Sequence, residues 1–158
     1  MSLSKIALKV NGLWHHLEVE DSERLLDVLR NRLRLVGVKE GCGTGECGAC
    51  SIILNGELVN SCLIFVAQLD GSEVLTIEGV GKLDGLHPIQ EAFLEAGAVQ
   101  CGFCTPGMVL ASKWLLDHHS NPQEDEIREA LSGNLCRCTG YQKIFRAVQL
   151  AATKLRDA

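Results

Sequence analysis

The residues of this sequence best suited to chemistry are its cysteines, which fall into two groups of four. The chain has 158 residues and eight cysteines. The first group has the spacing Cys42-x4-Cys47-x2-Cys50 and is completed by Cys62. The second group combines C-x2-C with C-x-C, as Cys101, Cys104, Cys136 and Cys138. Thiolates are good ligands for soft metal centres, and clustered cysteines in a reducing compartment more often bind metal or do redox work than form disulfides.

The first group has the spacing that is typical of a plant-type [2Fe–2S] site. A cluster with four thiolates is an anion, and burying it without compensating donors is costly. The glycine-rich stretch 39–50 can wrap closely around such a cluster and point backbone N–H groups at its sulfurs. A structural zinc site is the alternative, although zinc sites more often use two C-x2-C pairs.

The second group is ambiguous on residue types alone, because zinc and iron–sulfur sites both accept it. Its first pair precedes one predicted helix and its second pair precedes another. Helix N-termini carry partial positive charge and free N–H groups, so two that converge can stabilise a thiolate-rich anion. An iron–sulfur site is favoured, and zinc stays open.

The N-terminal half has the pattern of a small sheet crossed by one helix. Asn11-Gly12 and Asn55-Gly56 each separate two strand-like runs, which predicts two hairpins. The stretch 21–35 predicts a helix capped by Asp21 or Ser22. A last strand is predicted at "VLTIEG". This arrangement resembles a β-grasp.

The C-terminal half is predicted to be a four-helix bundle, with helices near 88–97, 104–118, 122–132 and 140–155. Thr105 is expected to cap the second helix, and Thr139 with Gln142 is expected to form a capping box on the fourth. The predicted class is α+β. It has a ferredoxin-like domain at 1–78, a glycine-rich linker at 79–88 and a helical cluster-binding domain at 89–158.

Composition excludes several classes of function. A net charge of −5 argues against nucleic acid as a main partner. No run of about 18 apolar residues predicts a membrane span. The start, "MSLSKIALKV", has no apolar signal core, so we expect a cytoplasmic protein.

Three stretches carry a resemblance to a known family: "EGCGTGECGAC", "AVQCGFCTPGM" and "SGNLCRCTGYQKI". They resemble the iron–sulfur subunit or domain of the molybdenum hydroxylases, the xanthine oxidase family, and the likeness runs from about Lys5 to Lys154. It implies two [2Fe–2S] clusters, one on each group of cysteines. It also implies that Gln100 and Cys138 approach the pterin of a molybdopterin cofactor in a partner subunit.

The resemblance implies an electron-transfer subunit with no substrate turnover of its own. The expected partners are a large molybdopterin-binding catalytic subunit and a medium FAD-binding subunit, in a heterotrimer or its dimer. A purine or N-heterocycle substrate is weakly favoured over an aldehyde, carbon monoxide or an aromatic thioester. The alternatives are a freely diffusing ferredoxin-like carrier and a zinc-stabilised interaction module.

Overall fold

Within the residues that the computed structural model describes, 2–81 and 84–157, five strands form one mixed sheet. The strands are β1 (Leu3–Val10), β2 (Leu13–Glu20), β3 (Ser51–Leu54), β4 (Glu57–Asn60) and β5 (Glu73–Leu75). Their order is β2-β1-β5-β3-β4, with β1 parallel to β5 and the other neighbours antiparallel. Both predicted hairpins are confirmed, and all four turn residues have φ between 49° and 89°, as a type I′ turn requires.

The helix that crosses this sheet is shorter and less regular than predicted. A single turn, α1 (Leu25–Asp27), continues as a π-helix at Val28–Arg32. The predicted caps are wrong: the helix begins after Arg24, which makes no side-chain cap bond. The Asp21 carboxylate instead accepts a hydrogen bond from the Ser4 hydroxyl of β1 at 2.8 Å. The carboxylate that could have capped the helix is therefore bonded to the sheet.

The four predicted C-terminal helices are confirmed, with ends shifted by one or two residues. They are α2 (Pro88–Glu95), α3 (Thr105–His118), α4 (Glu124–Ala130) and α5 (Gln142–Asp157). In the described part of the chain, none is long and apolar enough to cross a membrane.

Two predicted caps in this half are also wrong. Cys104, not Thr105, is the N-cap of α3, and Thr105 is its first helical residue. Thr139 lies three residues before α5 and donates its hydroxyl proton to the Cys136 sulfur instead. Cys104 therefore takes the capping position, and Cys136 the hydroxyl partner, that the local sequence pattern assigns to helix capping.

Strand β3 joins the two halves because both of its faces are buried. Ile52 packs into the core between the sheet and α1, whereas Ile53 packs into the core of the helices. Val80, inside the predicted linker 79–88, is also buried in the helical core. Lys82 and Leu83 of that linker lie outside the described residues.

Helix α2 begins at a histidine that acts as a hydrogen-bond acceptor. His87 Nδ1 accepts from the Ile89 N–H at 3.2 Å, and the Gln90 side chain accepts from the His87 N–H at 3.0 Å. Burial lowers the pKa of His87, and Lys113 on α3 lowers it further, while Asp117 opposes them. The folded chain therefore favours neutral imidazole, the form that can accept this bond.

We expect the start of α2 to loosen in acid. Because the folded pKa lies below the unfolded one, this stabilisation is complete above about pH 6.5. It is lost as the pH falls through the folded pKa. The loss should be about 0.5–1 kcal/mol, the usual contribution of one cap.

The measurement is hydrogen-exchange protection of the first amides of α2 at pH 5 and pH 7.5. His87→Asn keeps an acceptor that does not titrate, so its protection should be the same at both values. An equal change with pH in the wild type and the variant would contradict this assignment.

Candidate metal centre

The first three cysteines of the first group, Cys42, Cys47 and Cys50, lie on a tight loop between α1 and β3. Two arginines fix the N-terminal end of this loop. Arg30 donates to the Val38 carbonyl, and Arg24 forms an ion pair with Glu40 at 3.0 Å. The Lys39 N–H donates to the Ala49 carbonyl at 3.1 Å and so closes the loop at its base. The turn that carries the cysteines is thereby anchored on both sides.

Backbone N–H groups of this loop point at its own sulfurs. The Thr44 and Glu46 amides each donate to Cys42 Sγ at 3.3 Å, and the Cys42 amide donates to Cys47 Sγ at 3.3 Å. These bonds are the charge-compensating donors that the sequence predicted for an anionic cluster.

Two glycines of the loop are required by its close packing. A Cβ on Gly41 would lie 2.7 Å from Cys47 Sγ. Gly45 has φ +81°, and a Cβ there would lie 2.3 Å from Leu63. A side chain at Gly41 would displace the Cys47 sulfur, and one at Gly45 would be strained by the positive φ and would displace the Leu63 side chain.

Cys62 comes from a short 3₁₀ helix, Ser61–Leu63, directly after β4. The Asn60 side chain connects this segment to the loop, because its Nδ2 donates to the Gly45 carbonyl at 2.8 Å. Burial raises the pKa of the Cys62 thiol to about 11, with Cys50 as the next cause. Cys42 is exposed, and hydrogen bonds, first from the Thr44 side chain, lower the pKa of its thiol to about 6.

The second group lies between the start of α3 and the turn that precedes α5. Cys101 Sγ and Cys138 Sγ are 3.5 Å apart. A hydrogen bond to Cys101 raises the pKa of Cys138, and the Phe103 amide lowers that of Cys101. Burial, then Cys136, raises the pKa of Cys104 to about 12. Cys138 Sγ donates to Cys101 Sγ, so these two sulfurs form a hydrogen-bonded pair.

Two residues beside Cys136 restrain it, and sequence reasoning missed both contacts. The Thr139 hydroxyl donates to Cys136 Sγ at 3.1 Å, and the Cys136 amide donates to the Tyr141 hydroxyl at 2.9 Å. Burial acts to raise the pKa of Cys136, but the Thr139 hydrogen bonds outweigh it and the pKa is lowered. Tyr141 has φ +69°, an unusual conformation that often marks a functional site.

The loops that carry the two groups touch each other through the backbone. The Leu135 N–H donates to the Cys47 carbonyl at 2.9 Å. The buried Asn134 side chain donates to the Gly48 carbonyl at 2.9 Å and to Ser51 Oγ at 3.1 Å. Nothing in the local pattern around Asn134 indicates these bonds, because their partners lie more than 80 residues earlier.

The structure places Cys101 Sγ within 3.5 Å of Cys138 Sγ in the second group and the Cys42 N–H within 3.3 Å of Cys47 Sγ in the first. Among residues 2–81 and 84–157, no three His, Cys, Asp or Glu side chains are placed to hold one metal ion. Thiolates bound to two irons spread wider than thiolates on one zinc ion, where Zn–S is about 2.3 Å. The thiolate donors, the N–H···S bonds and the contact that excludes a Cβ at Gly41 all fit a [2Fe–2S] cluster.

Each group also reaches the surface next to apolar side chains. Cys42 is exposed, and Leu63 and Phe65 beyond Cys62 are 60 % and 51 % exposed. Around the second group, an exposed Gln100 precedes Cys101, and Phe103 and Leu135 lie exposed next to ligand positions.

Comparison with known proteins assigns each half to a cluster-binding family. Residues 8–75 match the 2Fe-2S iron-sulfur cluster binding domain, and residues 76–149 match the [2Fe-2S] binding domain. The chain is 49 % identical to the nicotinate dehydrogenase small FeS subunit of Eubacterium barkeri, over 98 % of each chain.

Two solved structures share the whole fold. Quinoline 2-oxidoreductase from Pseudomonas putida 86 matches with a TM-score of 0.94 and 39 % identity, over 99 % of this chain and 98 % of that one. The aldehyde oxidoreductase from Desulfovibrio desulfuricans matches with a TM-score of 0.94 and 44 % identity, over 98 % of this chain but 17 % of that one. The chain therefore belongs to the small [2Fe–2S] iron–sulfur subunits of the molybdenum hydroxylases, the xanthine oxidase and xanthine dehydrogenase family.

Proposed function

We propose that this chain relays electrons between a molybdopterin-bearing catalytic subunit and an FAD subunit of a molybdenum hydroxylase. The observation that carries the proposal is the arrangement of its thiols. Two groups of four lie on loops that touch each other, and each group has an exposed edge. When bound, [2Fe–2S] clusters accept and release single electrons. The residues of the chain hold them in fixed order and set their potentials.

We infer that all eight cysteines are ligands and that neighbouring sulfurs share an iron. In the second group we pair Cys101 with Cys138, whose sulfurs are joined by a hydrogen bond, and Cys104 with Cys136, which raises the pKa of Cys104. In the first group we pair Cys50 with Cys62, because the Ser61 N–H beside Cys62 donates to the Cys50 carbonyl, and Cys42 with Cys47, because the Cys42 N–H donates to Cys47 Sγ. Metal binding would replace the shared protons, since a coordinating thiol is deprotonated.

The second group is the side that we assign to the molybdopterin partner. Gln100 and Cys138 are both exposed there, so they are free to contact a pterin held by that subunit. The neighbouring Phe103 and Leu135 supply apolar surface for docking. Leu63 and Phe65 supply apolar surface beside the first group, and we assign this side to docking of the FAD subunit.

The assembly that follows is a heterotrimer or its dimer in which this subunit carries out no bond chemistry itself. We place the substrate pocket in the large subunit and favour an N-heterocycle. Relatives named for nicotinate and quinoline support that choice, while aldehyde oxidoreductases keep the aldehyde alternative open. Eight free thiols suit a reducing compartment, so we infer a cytoplasmic location. We retain 1–78 and 89–158 as the two domains, joined by a linker at 79–88.

Replacing one ligand should remove one cluster. The wild type should contain about four iron and four sulfide per chain and give two EPR signals after reduction with dithionite. Cys47→Ser should lose the signal of the first group and keep that of the second, and Cys104→Ser should do the reverse. Loss of both signals in both variants would show that the two clusters do not form independently. Two iron with bound zinc would instead restrict redox work to one group.

The Thr139 hydroxyl should raise the reduction potential of the second cluster, because its bond to Cys136 Sγ favours the more negative reduced state. Thr139→Val should lower that potential by about 40 mV, the equivalent of one hydrogen bond of about 1 kcal/mol. Thr139→Ser keeps the donor and should leave it near the wild-type value. An EPR-monitored redox titration measures both, with the first cluster as internal reference. Equal shifts in the two variants would rule out the hydroxyl as the cause.

Gln100 should matter for docking but not for cluster assembly. Gln100→Ala should weaken association with the molybdopterin subunit by about 3- to 10-fold, the effect of losing one interface hydrogen bond. Its iron content should stay unchanged. Gln149→Ala, an exposed glutamine on α5, is the matched control. Titration of the large subunit with each variant gives the affinity, and iron loss in Gln100→Ala would make Gln100 a structural part of the cluster loop.

A further inference from the structure

We propose that Asn134 is a positioning residue that fixes the gap between the two cysteine loops and thereby the coupling between their clusters. This inference rests on the proposed electron relay. It adds a role for a side chain that is neither a metal ligand nor part of an exposed edge.

Asn134 is 4 % exposed and uses both protons of its amide. One donates to the Gly48 carbonyl and the other to Ser51 Oγ. Its own backbone N–H donates to the Leu131 carbonyl at 3.0 Å, which fixes it at the end of α4. Asn134 is thus fixed at the end of α4, and its side chain is hydrogen-bonded to the loop that carries Cys47 and Cys50.

Two glycines, Gly48 and Gly107, allow the backbone around Asn134 to pack closely. Gly48 has φ +68°, and a Cβ there would lie 2.4 Å from the Gly133 carbonyl oxygen. From the other side, a Cβ on Gly107 of α3 would lie 2.4 Å from the Gly48 carbonyl oxygen and 3.0 Å from Asn134 Nδ2. The Gly48 peptide is therefore enclosed between α3 and the loop that precedes α5.

The consequence for the clusters follows from the residues next to this contact. Cys47 precedes Gly48, and Leu135 lies between Asn134 and Cys136. The Leu135 N–H donates to the Cys47 carbonyl, so a route from Cys47 to Cys136 along the backbone crosses a single hydrogen bond. The two cysteines belong to different groups. Every other step along that route is a covalent bond. Electronic coupling falls steeply with a through-space gap, so a residue that holds this bond short favours transfer.

A purely structural role for Asn134 would lower stability without changing the interaction between the clusters. The two roles are separated by a property of the reduced holoprotein, the splitting of the low-temperature EPR signals that arises when two reduced clusters interact magnetically. Residue-level hydrogen exchange at the Leu135 amide reports on the bond itself and does not depend on activity.

The test compares four variants in the intact, cluster-loaded chain. Gly107→Ala presses on the Gly48 peptide, and Asn134→Ala removes the two amide bonds. Gly133→Ala is the matched control, since its Cβ would meet no atom within 4 Å. Ile89→Val is the stability control, because Ile89 is buried in the helical core outside this contact.

We expect Gly107→Ala and Asn134→Ala to keep their iron and sulfide but to show a smaller inter-cluster splitting. Protection of the Leu135 amide should fall about tenfold, as expected for the loss of one hydrogen bond. Both controls should match the wild type in splitting. Should Gly107→Ala fail to fold, Asn134→Ala alone decides, because Gly48 keeps its hydrogen bonds from Ser51.

Two outcomes overturn the inference in distinguishable ways. A wild-type splitting in Asn134→Ala at full iron content would remove the role of Asn134 and leave the relay intact. A wild-type chain without two cluster signals would overturn the proposed function, and the inference with it.

Discussion

Four cysteine sulfurs held close together repel one another once a bound cluster deprotonates them, and the rest of this structure depends on how that repulsion is offset. In the first loop, backbone amides compensate for it, with the Thr44 and Glu46 N–H groups both directed at Cys42. In the second, a hydroxyl contributes through Thr139. Amides can converge on a sulfur only where the chain turns tightly, and this requirement explains why glycines surround the first three cysteines. The loops are therefore irregular, and their shape must be imposed by the elements on either side.

Strand β3 provides much of that support. It begins immediately after Cys50, so the end of the first loop is fixed by a strand buried on both faces. The helix that Cys104 caps packs against the same segment through Gly107, next to the Gly48 carbonyl. One four-residue strand thus relates the two cysteine groups more firmly than a linker between separate domains could. Close packing on both faces leaves little freedom for one loop to move without the other.

Local signals in the sequence predicted much of this fold. The Asn-Gly turns and the helical pattern after residue 88 depend on neighbours within a few positions, and each was found where it was expected. The predictions that failed were helix caps, because Thr105, Thr139 and Asp21 resemble local capping residues. Cys104 and the contacts at Cys136 and Ser4 displaced them from that role through tertiary structure. The π-helix after α1 had no signal in the sequence either.

Asn134 and Gly107 show why the remaining part of the site could not be predicted. Each looks ordinary in its local context, one as a loop asparagine and the other as a glycine in the first turn of a helix. Their importance comes from Gly48, which lies 86 residues from Asn134. A single sequence contains no information on which distant backbone group will need a donor or an open space. Packing creates that requirement after the local elements have formed.

The exposure of the cysteines bears on whether the chain acts as a subunit or as a free carrier. Cys50 and Cys62 are buried, but Cys42, Cys101 and Cys138 are exposed. Exposed thiolate ligands leave a cluster open to solvent and oxidants, and nearby apolar side chains such as Phe65 and Phe103 gain free energy when a partner covers them. A diffusing carrier needs one such edge, used for donor and acceptor in turn. Two edges, each next to its own group of cysteines, suit a protein that stays between two partners and passes electrons from one to the other.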